Sequence, residues 1–279
     1  MRYQSIPSSL FFKNRLNFVG EMQKNQIALF CSNDVQVTNA DDQMGFAQNN
    51  DLFYLSGIDQ EATILLMYPD AYKKENREIL FIKKTDEHIK IWEGDKLTKG
   101  DASKISDVLR VEWVDEFEKI LQLMAFEADG FYLGHNEHIK RSTSEIETRQ
   151  DRLINWCKLK YPLHDYHRAS KITRGLRQIK AQEEIAAIQK AADISIKGFE
   201  RVLRSVKPGM MEYELEADLS YIFLKHGAIR HAFQPIVASG ENACALHYNS
   251  NDSKCNDGDM ILMDFGVCYG NYNSDTTRC

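Results

Sequence analysis

The chain has 279 residues, of which 43% are hydrophobic and 27% are charged, and its formal net charge at pH 7 is −6. This length accommodates two domains with a sizeable core, and the negative charge gives no indication of a nucleic-acid or anionic-membrane partner. No apolar run is long enough to span a bilayer. The six cysteines form no CxxC pair, which favours reduced thiols in a cytoplasmic protein over a zinc site or a disulfide framework.

Strand-like and helix-like segments alternate up to about residue 165. The N-terminal segment is compatible with a transit peptide, but the apolar face of Phe11, Leu16 and Val19 favours a first helix. Short apolar runs predict buried strands at QIALFCS, TILLMYP, EILFIKK and GFYLG. Helices are predicted around residues 115–126 and in IETRQDRLINWCKLK. This alternation predicts an α/β domain.

The clearest helical pattern follows a polar, basic connector, LHDYHRASKITRGLRQIK. Its apolar residues recur at spacings of three, four or seven: Ile185, Ile188, Ala192, Phe199, Leu203 and Val206. Lys207-Pro208-Gly209 is a strong terminator, and a second helix is predicted over residues 212–226. PIVASG then predicts a strand, and a loop-rich passage leads to a closing hairpin.

Two aspartates interrupt the strand-like sequence of that hairpin, MILMDFGVCYGNYNSDTTRC. Gly270 can adopt the positive φ of a tight turn, and a two-residue turn at 269–270 would place Asp264 directly opposite Asp275. Like charges so close need a shared proton or a cation, and oxygen ligands favour ions such as Mg²⁺, Ca²⁺ or Mn²⁺. From spacing alone, two ordinary solvent-facing aspartates remain the alternative.

Longer motifs occur in one order along the chain. FAQNNDLFYLSGIDQEATILLM and IWEGDKL come first, and HAFQPIVASGENACALHY and the hairpin follow. The first pair resembles the N-terminal domain of aminopeptidase P, and the second resembles the catalytic domain of the aminopeptidase P and prolidase group, the pita-bread metallopeptidases. The resemblance implies an α/β (α+β) fold class. Residues 1–170 would form a mixed-sheet creatinase/aminopeptidase P-type domain, and residues 171–279 the first half of a pita-bread domain.

The resemblance also implies roles for individual residues. Asp264 matches an aspartate that chelates one metal of a two-metal site, usually manganese, and Asp275 matches one that bridges both metals. His247, in ALHY, matches a catalytic histidine that contacts the substrate at the scissile bond. His231 and Phe233 precede PIVASG and are interpreted as lining the substrate cleft, with packing under the sheet as the alternative.

Two residues of the N-terminal part match positions that reach a neighbouring subunit's active site in tetrameric members of the family. They are Trp92, in IWEGDKL, and Asp41, in TNADDQ. The alternatives are a half-buried strand aromatic for Trp92 and a turn or cap residue for Asp41. The expected assembly is a homodimer or a homotetramer.

The resemblance implies a Xaa-Pro aminopeptidase, which releases the N-terminal residue from peptides with proline in second position and uses two Mn²⁺ or other divalent ions. The alternatives are a prolidase, restricted to dipeptides, and a non-catalytic pita-bread-like module that binds peptides or proteins. The family pattern needs one histidine and two glutamates well beyond the second aspartate, and none follows Cys279. The expectation is therefore a fragment or natural truncation that is inactive alone.

Overall fold

The computed structural model describes residues 3–137 and 146–279 and contains two compact units. The N-terminal unit is Pro7–Ile179, and the C-terminal unit is Lys180–Cys279 together with Met1–Ile6. The unit boundary lies further along the chain than the predicted one between residues 170 and 171, because the helix Ala169–Gln178 belongs to the first unit. None of the helices in the described ranges has the length and hydropathy needed to cross a membrane.

A six-stranded mixed sheet forms the centre of the N-terminal unit. In chain order its strands are β1 (Gln26–Cys31), β2 (Ile64–Met67), β3 (Glu78–Ile82), β4 (Arg110–Trp113), β5 (Gly130–Leu133) and β6 (Asp165–Arg168). They lie in the order β4-β3-β2-β1-β5-β6, with β2 antiparallel to both of its neighbours and the other pairs parallel. This sheet confirms the predicted α/β class with a mixed sheet.

Helices cover both faces of the sheet. They are α1 (Ser8–Gly20), α2 (Asn50–Ser56), α3 (Glu87–Glu93), α4 (Lys99–Ser106), α5 (Phe117–Ala125), α6 (Arg149–Lys160) and α7 (Ala169–Gln178). Alternation along β1 sends Ile27 and Leu29 into a core cluster with Phe117 of α5, whereas Ala28 joins Phe18 of α1 in a second cluster. Both faces of β1 are therefore buried, which is why its sequence is a continuous apolar run.

The segment predicted to be a polar connector before the long helix instead contains regular secondary structure. The segment LHDYHRASKITRGLRQIK contains β6 and α7. Strand β6 was missed because it is an edge strand with a polar sequence, and edge strands carry polar residues that discourage further pairing. Strand β4, at the opposite edge, was missed for the same reason.

The C-terminal unit packs two helices against two small antiparallel sheets. Its elements are α8 (Gln182–Ser205), α9 (Glu212–Lys225), β7 (Arg230–His231), β8 (Ile236–Ser239), β9 (Ile261–Phe265), β10 (Val267–Tyr269), β11 (Tyr272–Asn273) and β12 (Thr276–Arg278). One sheet has the order β11-β10-β7 and the other β12-β9-β8. A single core cluster joins Ile194 of α8, Leu219 of α9 and Phe265 of β9. Both predicted helices are confirmed.

Candidate metal centre

The C-terminal hairpin turns at a different place from the one predicted. Its central residues are Gly270 and Asn271, with φ angles of 58° and 61°, and they join Tyr269 to its cross-strand partner Tyr272. The predicted turn at residues 269–270 is therefore wrong. A two-residue turn of this kind needs positive φ at both central positions, which glycine and asparagine adopt and a bulky aromatic residue avoids.

The shifted turn changes how the two candidate metal ligands face each other. Asp264 pairs with Thr277, not with Asp275 as predicted, and Thr277 Oγ1 donates a hydrogen bond to Asp264 Oδ1 at 2.8 Å. Asp275 lies outside β12, directly before its first residue and two residues before Thr277. The pairing of β9 with β12 thus brings the segment of Asp275 alongside Asp264. Asp264 is half-buried and Asp275 is exposed.

Gly266 allows the backbone between the two aspartates to approach its surroundings closely. A Cβ atom at this position would lie 2.1 Å from the carbonyl oxygen of Ser274 and 2.9 Å from Phe233 Cε1. The N–H of Ala232 donates to the carbonyl oxygen of Gly266 at 3.0 Å. Phe233 therefore packs beside Gly266, two residues along the chain from Asp264.

His231 pairs with Val267 of β10 and packs towards α9. Its Nε2 lies 2.9 Å from Ser220 Oγ, and its ring meets the Phe223 ring with centroids 5.2 Å apart. Burial lowers the pKa of His231, against an opposing effect of the Glu216 charge. Its Nδ1 has no hydrogen-bond partner among the residues that the structure describes. These contacts are those of the packing alternative, and the cleft-lining role of His231 stays a prediction.

His247 lies in the turn that follows the 3₁₀ helix Gly240–Cys244 and is exposed to solvent. Strand β8 leads into this segment and pairs with β9, which places Ile236 opposite Asp264. The neighbouring Tyr248 donates a hydrogen bond from its hydroxyl to Glu212 Oε2 at 2.8 Å. The sequence pattern did not single out Glu212, because an acidic residue in the first turn of a helix ordinarily faces solvent.

The remaining candidate residues belong to the N-terminal unit. Asp41 is an exposed residue of a turn. Trp92 lies on α3 and is 77% exposed, so its alternative as a half-buried strand aromatic is wrong. The adjacent Glu93 pairs with Lys83 and with Lys96, which fixes the last turn of α3.

The hairpin offers oxygen ligands of the type that divalent cations bind, but too few of them to complete a coordination sphere. Asp264 and Asp275 offer carboxylate oxygens, which are ligands for hard or borderline divalent ions. The hydrogen bond from Thr277 orients Asp264 from outside such a site. Within residues 3–137 and 146–279, however, no group of three or more His, Cys, Asp or Glu side chains could hold a metal ion. Two carboxylates leave most of the coordination sphere of an ion to other ligands.

Two family models match the chain. The model described as "Aminopeptidase P, N-terminal domain" matches residues 11–132, and "Metallopeptidase family M24" matches residues 186–279. The first match lies within the N-terminal unit and the second within the C-terminal unit. Together with the fold, they define an M24-type metallopeptidase domain preceded by an aminopeptidase P N-terminal domain.

Known proteins are similar over nearly the whole chain. The Xaa-Pro aminopeptidase of Escherichia coli (strain K12) is 29% identical over 282 residues, which cover 96% of this chain and 60% of the relative. A solved structure of a candidate aminopeptidase P from Bacillus anthracis has a TM-score of 0.90 and 30% identity and covers 97% of this chain and 64% of its own. The chain belongs to the aminopeptidase P family. It spans about 60% of the length of the E. coli relative.

A shorter match involves a dipeptidase. The Xaa-Pro dipeptidase of Pyrococcus furiosus is 33% identical over 126 residues, which cover 45% of this chain and 36% of the relative. The local identity is higher than with the E. coli protein, but the match covers less than half of the chain.

Proposed function

We propose that the protein is a Xaa-Pro aminopeptidase that uses divalent metal ions to release the N-terminal residue from peptides with proline in second position. The observation that carries this proposal is the pairing of β9 with β12, which brings the segment of Asp275 alongside Asp264 within the unit matched by the metallopeptidase model. The match of residues 11–132 to the aminopeptidase P N-terminal domain supports an aminopeptidase over other metallopeptidases.

Asp264 and Asp275 would hold the metal, with two Mn²⁺ ions as the proposed complement. Divalent ions bound there would lower the pKa of a water molecule and supply hydroxide near neutral pH. Thr277 keeps one oxygen of Asp264 engaged through its hydroxyl, so the carboxylate is oriented before an ion arrives. Two carboxylates alone bind such ions weakly, and we propose that the 279 residues by themselves have little or no activity.

His247 and Phe233 would act on the peptide. His247 is exposed and would donate a hydrogen bond to the carbonyl group of the first residue, which develops negative charge in the transition state. Phe233 offers an apolar surface beside Gly266 against which a proline ring would pack. Proline has no backbone N–H, so its tertiary amide suits a site that offers no acceptor at that position.

The proposed assembly is a homodimer or a homotetramer in which Trp92 and Asp41 reach the active site of a neighbouring subunit. Their exposure on the N-terminal unit supports this role, since neither side chain is taken up by the core of its own unit. The proposed location is the cytoplasm, and a peptide is the proposed partner.

The second candidate function is that of a prolidase, which the similarity to the P. furiosus dipeptidase favours. The chemistry at Asp264 and Asp275 would be the same, and the difference would lie in the length of peptide accepted. Only a comparison of substrates separates the two functions.

A peptide assay tests the proposal. The protein is isolated at its natural length, stripped of metal with a chelator and reloaded with Mn²⁺ or Zn²⁺, and it is given Xaa-Pro-Xaa, Xaa-Ala-Xaa and Xaa-Pro peptides. The expected result is release of the first residue from Xaa-Pro-Xaa alone, lost without metal and in the Asp264→Asn variant. Cleavage of only the dipeptide would establish the prolidase function instead. Peptide binding by the metal-loaded protein without any cleavage would support the binding module.

A further inference from the structure

Glu212, in the first turn of α9, is a fully buried carboxylate with two sets of hydrogen-bond donors. Its Oε1 accepts from the N–H of Ser239 at 2.7 Å, from the Ser239 hydroxyl at 2.8 Å and from Asn242 Nδ2 at 3.4 Å. Its Oε2 accepts from the hydroxyl of Tyr248 at 2.8 Å and from the N–H of Ser253 at 2.9 Å. Both oxygens are therefore fully engaged.

These hydrogen bonds keep the carboxylate ionised. Burial alone would raise the pKa of Glu212, but the hydrogen bonds from Ser253, Ser239 and Tyr248 outweigh it, and the pKa is lowered from its ordinary value. A carboxylate that accepts several N–H and O–H bonds is stabilised in its charged form even where water is excluded. The donors that stabilise the charge of Glu212 all lie within residues 239–253.

The donors to Glu212 lie on both sides of His247. Ser239 and Asn242 come before it, and Tyr248 and Ser253 come after it. Residues 244–247 between them are exposed, and 245–252 contain neither helix nor strand. The backbone of this stretch cannot order itself through regular hydrogen bonds, so its side-chain attachments determine where His247 lies.

We propose that Glu212 is a positioning residue: its carboxylate binds both ends of residues 239–253, which we name the histidine segment, and so fixes where His247 lies. The catalytic part of this inference rests on the proposed function, because it assumes that His247 contacts the peptide. The positioning of His247 by Glu212 does not rest on the proposed function, since the hydrogen bonds of Glu212 are a property of the folded chain.

An amide cannot replace the carboxylate at this position. The side chain of a glutamine offers one acceptor oxygen and one NH₂ group, which only donates. In a Glu212→Gln variant the NH₂ group would face either the N–H of Ser239 or the N–H of Ser253, and two donors cannot bond to each other. One end of the histidine segment would therefore lose its hydrogen bonds to this side chain, while the backbone hydrogen bonds of Ser239 in β8 and of Ser253 with the N–H of Glu212 remain.

A second attachment of the histidine segment shows why the variant should remain folded. Asn251 is buried, accepts from the N–H of Val237 at 2.9 Å, and donates to the carbonyl oxygen of Pro235 and to Glu216 Oε2, each at 2.9 Å. This attachment joins the segment to β8 and α9 independently of Glu212.

The structural test is NMR of the protein used in the peptide assay. In Glu212→Gln, the amides of Ser239 or Ser253 are expected to exchange with solvent at least tenfold faster, and the imidazole resonances of His247 are expected to shift and broaden. The matched control is Glu214→Gln, the same substitution at an exposed residue of the same helix, where both readouts should stay as in the wild type. Unchanged His247 resonances in a folded Glu212→Gln variant would overturn the proposal.

Tyr248→Phe keeps the proposal testable if Glu212→Gln does not fold. This change removes one donor beside His247 and leaves the other hydrogen bonds of Glu212 in place. The His247 resonances should again shift, by less than in Glu212→Gln. A folded Tyr248→Phe variant with wild-type His247 resonances would also contradict the proposal.

A kinetic cycle tests whether Glu212 acts through His247. We expect Glu212→Gln to lower kcat by about 10- to 100-fold with little change in KM, the size of loss that small displacements of a catalytic group produce. In a His247→Ala background the same substitution should have no further effect on kcat. A full additional loss there would mean that Glu212 acts by another route. If the His247 resonances move but peptide cleavage does not change, the role of His247 in the proposed function fails while its positioning by Glu212 stands.

Discussion

At the scale of single residues, the hairpin depends on the absence of a side chain at Gly266. The nearest atom that an added Cβ would meet is the carbonyl oxygen of Ser274, at 2.1 Å, and this oxygen belongs to the backbone rather than to a flexible side chain. Ser274 is itself fixed, because its N–H donates to Val267 and its hydroxyl lies 2.8 Å from the hydroxyl of Ser195 in α8. The strand that carries Asp275 therefore cannot move aside without losing these contacts.

We predict that Gly266→Ala lowers the free energy of unfolding of the C-terminal unit by about 1–3 kcal/mol, the usual cost of forcing an extra carbon into a packed site. Urea titration followed by circular dichroism measures it. The control is Gly175→Ala in α7, where no atom lies within 4 Å of the added Cβ and alanine favours the helix. A Gly266→Ala variant that unfolds at the wild-type urea concentration would contradict this assignment.

At the scale of elements, Glu137 connects the segment after β5 to the junction of β6 and α7. Arg168, the last residue of β6, donates from Nε to Glu137 Oε1 at 2.7 Å, and the hydroxyl of Ser170 in α7 donates to the same oxygen. The hydrogen bond from Arg168 is the main reason that the pKa of Glu137 falls from its ordinary value of 4.5 to about 2, with burial acting in the opposite direction.

This shift predicts an acid dependence of stability. Because the folded-state pKa is lower than the unfolded one, the contribution of Glu137 is fully present above about pH 4.5 and is lost as the pH falls towards about 2. The Glu137→Gln variant should be less stable than the wild type at pH 7, and the difference should shrink between those two pH values. Thermal unfolding at a series of pH values measures it, with Glu127→Gln on the surface as the control. A difference that does not depend on pH would refute the prediction.

The elements also show which features a single sequence can predict. Strands β1, β2, β3 and β5 were predicted because both of their faces are buried and their sequences are therefore continuous apolar runs. Strands β4 and β6 were not, because a partner on only one side lets an edge strand keep polar residues. Helix α8 was predicted correctly, but its apolar pattern does not mark only buried residues. Ile185 and Leu203 of that pattern are 45% and 59% exposed.

The residues of the candidate site stay a prediction from the sequence, and their geometry differs from the one predicted. Asp264 and Asp275 were identified from a motif, whereas their pairing depended on which two residues form the turn. Asn271 adopts positive φ as Gly270 does, and this preference moved the turn by one position. Glu212 could not be found from the pattern, because its burial results from contacts with residues far along the chain.

At the scale of the whole molecule, the exposed Trp92 allows a test of the proposed assembly. We predict that Trp92→Ala lowers kcat/KM on Xaa-Pro-Xaa peptides by about tenfold, as expected for an aromatic anchor at an interface. Its thermal unfolding should match the wild type, since the side chain is 77% exposed and lies outside the core. Tyr72→Ala is the control, because Tyr72 is an exposed aromatic residue of the same unit. A protein that is monomeric in light scattering and fully active with Trp92→Ala would exclude this role.

The central claim is that Asp264 and Asp275 of the hairpin bind divalent metal. Mn²⁺ is paramagnetic and broadens the NMR signals of nearby nuclei, so its binding site in the 279-residue chain can be located directly. Because these two residues offer only carboxylate oxygens and no third ligand joins them in the described parts of the chain, the affinity should be weak.

The deciding measurement is a titration of this chain with Mn²⁺, followed by amide signals and compared with the double variant Asp264→Asn, Asp275→Asn. We predict that the signals of residues 263–266 and 274–277 broaden first, at submillimolar to millimolar Mn²⁺, and that the double variant abolishes the effect. Equal broadening of the hairpin in the double variant, or a first site elsewhere in the chain, would contradict it.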